Sequence, residues 1–243
     1  VCGDVGKGRL PEPDEIEDKI KEVFEEDKFL EGKHILVTAG PTSEAIDPVR
    51  MITNHSTGKM GYALARAARN MGAHVTLVSG TKQIEDIRDV EMVHVTSAKD
   101  MAEAVLSRQN DMDCMILAAA VADYTPVSVA DNKIHKSEGE MSIPLKRTQD
   151  ILKTLGENKK DGQVLIGFSM ETENMVERTK EKLVKKNCDY IVANNLKEKG
   201  AGFGTDTNIV TLISKDHEEE FGILSKYDTA VKILKTCLKE KKA

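Results

Sequence analysis

Residues 34–73 read HILVTAGPTSEAIDPVRMITNHSTGKMGYALARAARNMGA. The first five, HILVT, form an apolar, β-branched run of the kind that makes a buried strand. Small residues from Ala39 to Ser43 then predict a tight turn at the strand's end, and YALARAARNMGA repeats its apolar side chains at helical spacing. Ser56, Thr57, Gly58 and Gly61 place small and hydroxylic residues where that helix begins. An anion site needs free backbone N–H groups, hydroxyl donors, the positive end of a helix dipole and no side-chain bulk. Lys59 and Arg50 add positive charge nearby. The segment from Thr38 to Gly61 is therefore expected to hold a nucleotide's phosphates, with Gly40, Ser56 and Gly58 as candidate contacts.

Two familiar phosphate motifs are excluded. STGKMG contains Gly58-Lys59, but Met60 follows and Thr53 stands five positions before Gly58, so it is not a P-loop. No GxGxxG follows the first strand, and the connection from Gly40 to Gly58 is too long for a dinucleotide fingerprint. For any single glycine or serine an ordinary turn or helix cap competes with phosphate binding. The whole cluster at one strand end favours phosphate.

Outward from this segment the pattern alternates. Apolar runs at 73–78, 91–95, 114–120, 164–168, 189–193 and 208–213 predict strands. Helical spacing predicts helices over 58–71, 98–108, 150–157 and 173–187, and a last one from about Ser225 to Leu238. Ser97 followed by Asp100 predicts a cap on the second of these. The implied fold is α/β: a Rossmann-like, mostly parallel sheet with helices on both faces. With aromatic residues at 4% and no Trp, aliphatic side chains must fill its core. Residues 121–148, with Pro126, Gly139 and Pro144, interrupt the rhythm directly after a strand and are expected to form an inserted lid. Residues 1–32 stand apart: a Gly-rich stub, then a charged stretch with Ile16, Ile20 and Phe24 on one helical face. We expect a preceding domain's tail and linker helix there, and a nucleotide-binding domain over 33–243.

Composition narrows the class. Of 243 residues 40% are hydrophobic and 31% charged, and the net charge of −6 leaves no basic excess to neutralise a nucleic-acid backbone. No apolar run approaches a membrane span, and the first residues lack a signal-peptide layout. The four cysteines show no CxxC spacing, which points to neither zinc nor disulfides and to a reducing cytoplasm.

Further candidates lie downstream. In AAAVADYTP, residues 118–126, Ala118 and Ala119 would let a planar ring approach the backbone. Asp123 emerges where a carboxylate can hold a phosphate-bound Mg²⁺, although a local turn role competes. Lys133 and Lys136 lie on the insertion, where solvated lysines are the ordinary outcome. Lys182 and Lys186 share one helical face, and Phe168 ends another strand. KGAGFGTD, residues 199–206, reads as a loop rather than a cofactor motif, and the six histidines show no metal spacing.

Taken together, GPTSEAIDPVRMITNHSTGKMGYALA, AAAVADYTP with NKIHK, QDIL, GFSMET and KLVKKNCDYIVANN resemble the phosphopantothenate–cysteine ligase family of coenzyme A biosynthesis, over roughly residues 33–240. The stub VCGDVGKGRLPEP resembles the end of the flavin-dependent decarboxylase that many prokaryotes fuse in front of this ligase, and Cys2 matches its catalytic cysteine. FMN would belong only to that missing part. The resemblance implies that the 4′-phosphopantothenate carboxylate attacks the α-phosphate of CTP, giving an acyl-cytidylate and pyrophosphate. The cysteine amine then releases CMP.

It also implies site roles. Asn54 would handle the acyl-cytidylate, Lys133 would stabilise phosphoryl charge, and Asp123 would meet the nucleotide or its Mg²⁺. Ala118, Ala119, Gln149, Asp150, Ile151, Leu152, Phe168, Lys182 and Lys186 fall on nucleotide-contacting positions. Where many bacterial members carry Asn-Pro-Asp-Ile, this chain has Thr148-Gln149-Asp150-Ile151, a change at the base or ribose contact. A cytoplasmic homodimer preferring CTP is implied, with no nucleic-acid or membrane partner. A nicotinamide-dependent oxidoreductase and a non-catalytic nucleotide-binding module remain the alternatives.

Overall fold

A computed structural model of the chain describes residues 28–135, 140–171, 175–195 and 205–238. The expectations for the stub and linker helix before residue 28, for Lys136 and Gly139, and for the glycines of 199–204 lie outside the described residues.

In chain order the elements are β1 (His34–Ala39), β2 (Ser43–Ala45), β3 (Met51–Thr53), α1 (Lys59–Asn70), β4 (His74–Ser79), β5 (Glu91–His94), α2 (Ala98–Leu106), β6 (Cys114–Leu117) and β7 (Tyr124–Pro126). There follow β8 (Leu145–Arg147), α3 (Ile151–Asn158), β9 (Val164–Glu171), α4 (Met175–Lys185), β10 (Tyr190–Asn195), β11 (Thr207–Ser214), β12 (Glu218–Ser225) and α5 (Lys226–Leu238).

Eight strands form one sheet in the order β12-β11-β10-β9-β6-β1-β4-β5. The six from β10 to β5 run parallel, and β11 and β12 add an antiparallel edge. The side-chain period of two sorts β1 between two cores. Ile35 and Val37 pack with Leu64 and Ala68 of α1 and Ile233 and Leu234 of α5. Leu36 packs on the opposite face with Met101 and Val105 of α2, Leu155 of α3 and Leu183 of α4. Helices cover both faces, as the alternation requires.

The structure departs from the sequence expectation in three places. The apolar run 114–120 yields a strand only to Leu117, because Ala118–Ala120 turn toward β1's loop, where the Ala120 N–H donates to the Gly40 carbonyl at 2.9 Å. Strand β12 was not expected, since EEEFGILS buries only Phe221 fully and spends its glutamates on an edge. The insertion is closed by an antiparallel ribbon, β7 with β8, and the loop before α1 folds into a second one, β2 with β3. The cap at Ser97 and Asp100 forms a reciprocal capping box on α2.

Strand β1 continues to β4 on one side and has β6 on the other, so the order reverses between β1 and β6. In open parallel sheets the crevice at the strands' carboxyl ends opens at such a reversal. Gly40 and Ala118 emerge there.

Candidate active site

The loops leaving β1 and β6 are bound to each other before they bind anything else. Buried Thr38 accepts from the Ala119 N–H at 3.1 Å, and buried Thr42 accepts from the Ala122 N–H at 2.9 Å. The insertion's returning strand adds to this: the Thr148 hydroxyl donates to the Ala122 carbonyl at 2.6 Å, and its N–H to the Asp123 carbonyl at 3.0 Å. Threonines at these positions hold a loop of alanines open without filling the space above it.

Helix α1 starts hard against this loop. A Cβ on Gly61 would lie 2.5 Å from the Ala39 Cβ and 2.7 Å from the Thr38 carbonyl oxygen, so no larger residue lets the helix come this close. Gly58 has φ +83° and, as a glycine, offers no side-chain cap to the helix it begins, while its own N–H donates to the Ser56 hydroxyl at 3.4 Å. A helix start with no side-chain cap leaves donors for a ligand. Gly40 is buried beneath it: its N lies 3.1 Å from where a Gly58 Cβ would sit.

Two cavities open above the loops, sharing Ala119 and Phe168. The first, about 170 Å³, is lined by Ser56 to Gly61, Ala118 and Ala120, and on its far side by Asn194, Asn208 and Lys226. The second, about 270 Å³, is lined by Asp123, Arg147, Thr148, Gln149 to Leu152, Lys182 and Lys186. The structure thus divides the expected nucleotide contacts. Ser56, Gly58 and Ala118 face the first cavity, and Asp123, Gln149, Asp150, Ile151, Leu152, Lys182 and Lys186 the second. Gly40 lines neither, acting from below through Gly58.

Asn54 and Lys133 also line neither cavity. The Asn54 amide donates to the Ala120 carbonyl at 3.1 Å, which sets it at the first cavity's rim. Exposed Lys133 sits on a segment fastened to the β2–β3 turn. There the Ile134 N–H donates to Asp47 at 3.1 Å, Arg50 donates to the Ile134 carbonyl at 3.0 Å, and Arg50 pairs with Asp47 at 2.6 Å. Arg50 beside it holds the Asp47 carboxyl well below the usual carboxylate range, against its burial and with help from the Ile134, Val49 and Arg50 N–H groups.

In the second cavity Asp150 caps α3 by accepting from the Lys153 N–H at 3.0 Å and pairs with Lys186. Burial raises the Asp150 pKa, but Lys186 and the Lys153 N–H outweigh it and the carboxyl stays below its ordinary value. Lys182 donates to the Ser169 hydroxyl at 3.4 Å. Lys182 on α4 and Lys186, the first residue past its end, therefore converge on one space, and no local sequence pattern reveals that shared aim.

Among the described residues no group of three or more His, Cys, Asp or Glu side chains is placed to hold a metal. Mg²⁺ in nucleotide sites is held by one or two carboxylates plus phosphate oxygens, so exposed Asp123 beside a phosphate fits that pattern while Asp150, already engaged, does not. Sequence reasoning missed Asn194, Asn208, Lys226 and Arg147. Asn194 had a signal, since polar residues at a parallel strand's carboxyl end face the crevice. Lys226 had none.

Residues 30–240 match the family described as the DNA/pantothenate metabolism flavoprotein C-terminal domain. The chain belongs to this family. Over 238 residues it is 53% identical to the coenzyme A biosynthesis bifunctional protein CoaBC of Bacillus subtilis, covering 96% of this chain and 58% of that protein. A cysteine/cysteine sulfinic acid decarboxylase from an unidentified prokaryote is 44% identical over 244 residues, covering 98% of this chain and 68% of that one. The crystal structure of the C-terminal domain of a CoaBC protein superposes with a TM-score of 0.73 at 47% identity, over 86% of this chain and 95% of that domain. The chain thus spans little more than half of the Bacillus relative and nearly all of its solved C-terminal counterpart. Among the described residues no helix is long and apolar enough to cross a membrane.

Proposed function

We propose that this chain is a phosphopantothenate–cysteine ligase domain, joining 4′-phosphopantothenate to L-cysteine with CTP as the activating nucleotide. The observation that carries this reading is the pair of cavities meeting at Ala119 and Phe168, with an uncapped helix start over one, Lys182 and Lys186 over the other, and Asn54 at the rim. Two polyanionic substrates must meet at one reacting centre, and two cavities with a common wall provide for that.

In the first step the substrate carboxylate attacks the α-phosphorus of CTP; an acyl-phosphate bond forms and pyrophosphate departs. In the second the cysteine amine attacks the acyl carbon, an amide forms, and CMP leaves. The protein forms no covalent bond, so its contribution is positioning and charge stabilisation. Lys133, carried by the fastened insertion, would meet the phosphoryl charge, and the Asn54 amide would donate to the mixed anhydride's oxygens. Asp123 would hold Mg²⁺, which supplies charge neutralisation on the nucleotide phosphates. FMN has its place in a decarboxylase part that precedes residue 33, and the whole enzyme is read as cytoplasmic.

The test is pyrophosphate release with 4′-phosphopantothenate and CTP, ATP, GTP or UTP in parallel, with and without cysteine. We expect release with CTP that stops on chelation by EDTA and CMP formation that needs cysteine. Absence of pyrophosphate with every nucleotide sinks the ligase reading and leaves a nucleotide-binding module.

A homodimer belongs to the same proposal. Val49, Met51, Tyr124, Val127, Val129 and Leu145 are 44–64% exposed, and all belong to or flank the β2–β3 and β7–β8 ribbons. A cluster of exposed apolar side chains on adjoining ribbons marks an interaction face. Sedimentation equilibrium should give the mass of two chains, and Val127→Glu with Met51→Glu the mass of one. A monomeric native chain at micromolar concentration would remove the dimer.

A further inference from the structure

Lys226 opens α5 with only 8% exposure and lines the first cavity. That position opposes three electrostatic preferences at once. Burial strips water from an ammonium group. The first turn of a helix is its positive end and disfavours a cation. Lys59, at the start of α1, is a second cation on the same cavity. Burial first and Lys59 second push the Lys226 pKa down, and Asp206 offsets them in part.

Asp206 is the carboxylate that pairs with Lys59. Its Oδ1 lies 2.7 Å from the Lys59 Nζ with the side chain 84% exposed, and its backbone carbonyl accepts from the Lys226 N–H at 2.9 Å. The Lys226 Nζ itself donates to the Thr207 carbonyl at 3.0 Å. The solvated Asp206 carboxylate thus pairs with Lys59 and, by its charge, offsets part of the cost of burying Lys226.

A second observation is independent of charge. Asn194 and Asn208, 7% and 4% exposed, line the same cavity, and each has a buried Oδ1 that meets no hydrogen-bond donor among the described residues. Buried polar atoms are nearly always satisfied, so two orphans in one cavity point to a bound molecule with N–H or O–H donors. A ligand with an anionic head and donor groups behind it answers both observations.

We propose that Lys226 binds a substrate phosphate in the first cavity, and that Asp206 is the displaceable counterion that Lys59 gives up when this phosphate arrives. The identity of the phosphate rests on the ligase reading: it comes from the nucleotide or from 4′-phosphopantothenate. The structural alternative, in which Lys226 serves only to satisfy the Thr207 carbonyl, predicts a different response to mutation.

The experiment is calorimetric titration of the full chain with CTP, 4′-phosphopantothenate and inorganic pyrophosphate, in Lys226→Met, Lys226→Arg and Asp206→Asn variants. Lys226→Met should weaken one of the two substrates and pyrophosphate by about tenfold or more, since a charge-assisted phosphate contact is lost. Its melting temperature should stay level or rise, because an unfavourably placed buried charge is gone. Lys226→Arg should recover part of the affinity, and Asp206→Asn should tighten the same substrate. Whichever substrate responds identifies the phosphate. The inference is overturned if Lys226→Met binds every ligand within about twofold of the parent, or if it melts lower and loses all ligands equally. Should Lys226→Met fail to fold, exposed Asp206→Asn decides, and an unchanged affinity overturns the counterion. Pyrophosphate release by the parent chain is scored separately, so that binding without turnover removes the ligase reading and leaves the Lys226 assignment standing.

Discussion

Lys133→Gln is expected to lower the rate of pyrophosphate release by about 10²–10³-fold, the usual cost of removing one donor from developing transition-state charge. Fold and melting temperature should be unchanged. The side chain is exposed, so its loss costs no packing. What it needs from the fold is its segment's position, and Asp47 supplies this by accepting from the Ile134 N–H while Arg50 donates to the Ile134 carbonyl. Asp47→Asn should therefore resemble Lys133→Gln in direction while leaving a lysine present. The pH sense follows from the depressed carboxyl. A group whose folded pKa lies below the unfolded value near 3.8 lends stability above that value and loses it only as pH falls through the depressed one. The fastening accordingly persists across neutral pH, and a fall in activity between roughly pH 7 and 5 would arise in other groups. Single-turnover measurement of pyrophosphate decides the role. Activity of Lys133→Gln within about threefold of the parent would return Lys133 to the solvated surface.

What the sequence disclosed follows the range of the physics involved. At His34–Ala39 and again from Lys59 to Asn70 the elements rest on neighbours in the chain, a β-branched run and a helical period, and both stand where they were expected, whereas the β2–β3 ribbon between them has no such local signal. Lys182 and Lys186 were legible as a shared face because four residues make one turn. Their common target was not, since the partners are Asp150, the cap of α3, and Ser169 of β9. Strand β12 escaped because edge pairing asks little burial of its residues, and its glutamates read as a solvated stretch. Ala118 to Ala120 read as strand and are instead drawn aside by Gly40 and Thr42, contacts some 80 positions away in the chain. Lys226 and Asn208 were out of reach for the same reason. Only the antiparallel return of β11 and β12 carries them to Gly58, and no local pattern encodes that return.

Asn54→Asp should separate the two half-reactions. The wild-type amide donates to the Ala120 carbonyl at 3.1 Å and is exposed on its other side, so it retains a second N–H for the acyl-cytidylate. A carboxylate has no proton to give either. It would face the Ala120 carbonyl oxygen and the anhydride's oxygens with negative charge, a repulsion in place of a hydrogen bond. Formation of the anhydride draws on the phosphate-holding groups around Gly58 and on Lys133, so pyrophosphate should still appear. Aminolysis draws on polarisation of the acyl carbonyl as the amine adds, and losing that donor should slow it by about 10²-fold or more. The expected result is a burst of pyrophosphate near one per active site, acyl-cytidylate retained on the protein and detectable by mass spectrometry, and little amide product. Asn54→Gln tests the same idea from the other side, since it keeps the amide but shifts it by one methylene and should recover part of the second step. Amide formation by Asn54→Asp at the parent rate would remove Asn54 from the chemistry. Equal loss of pyrophosphate and amide would instead place Asn54 in the first step.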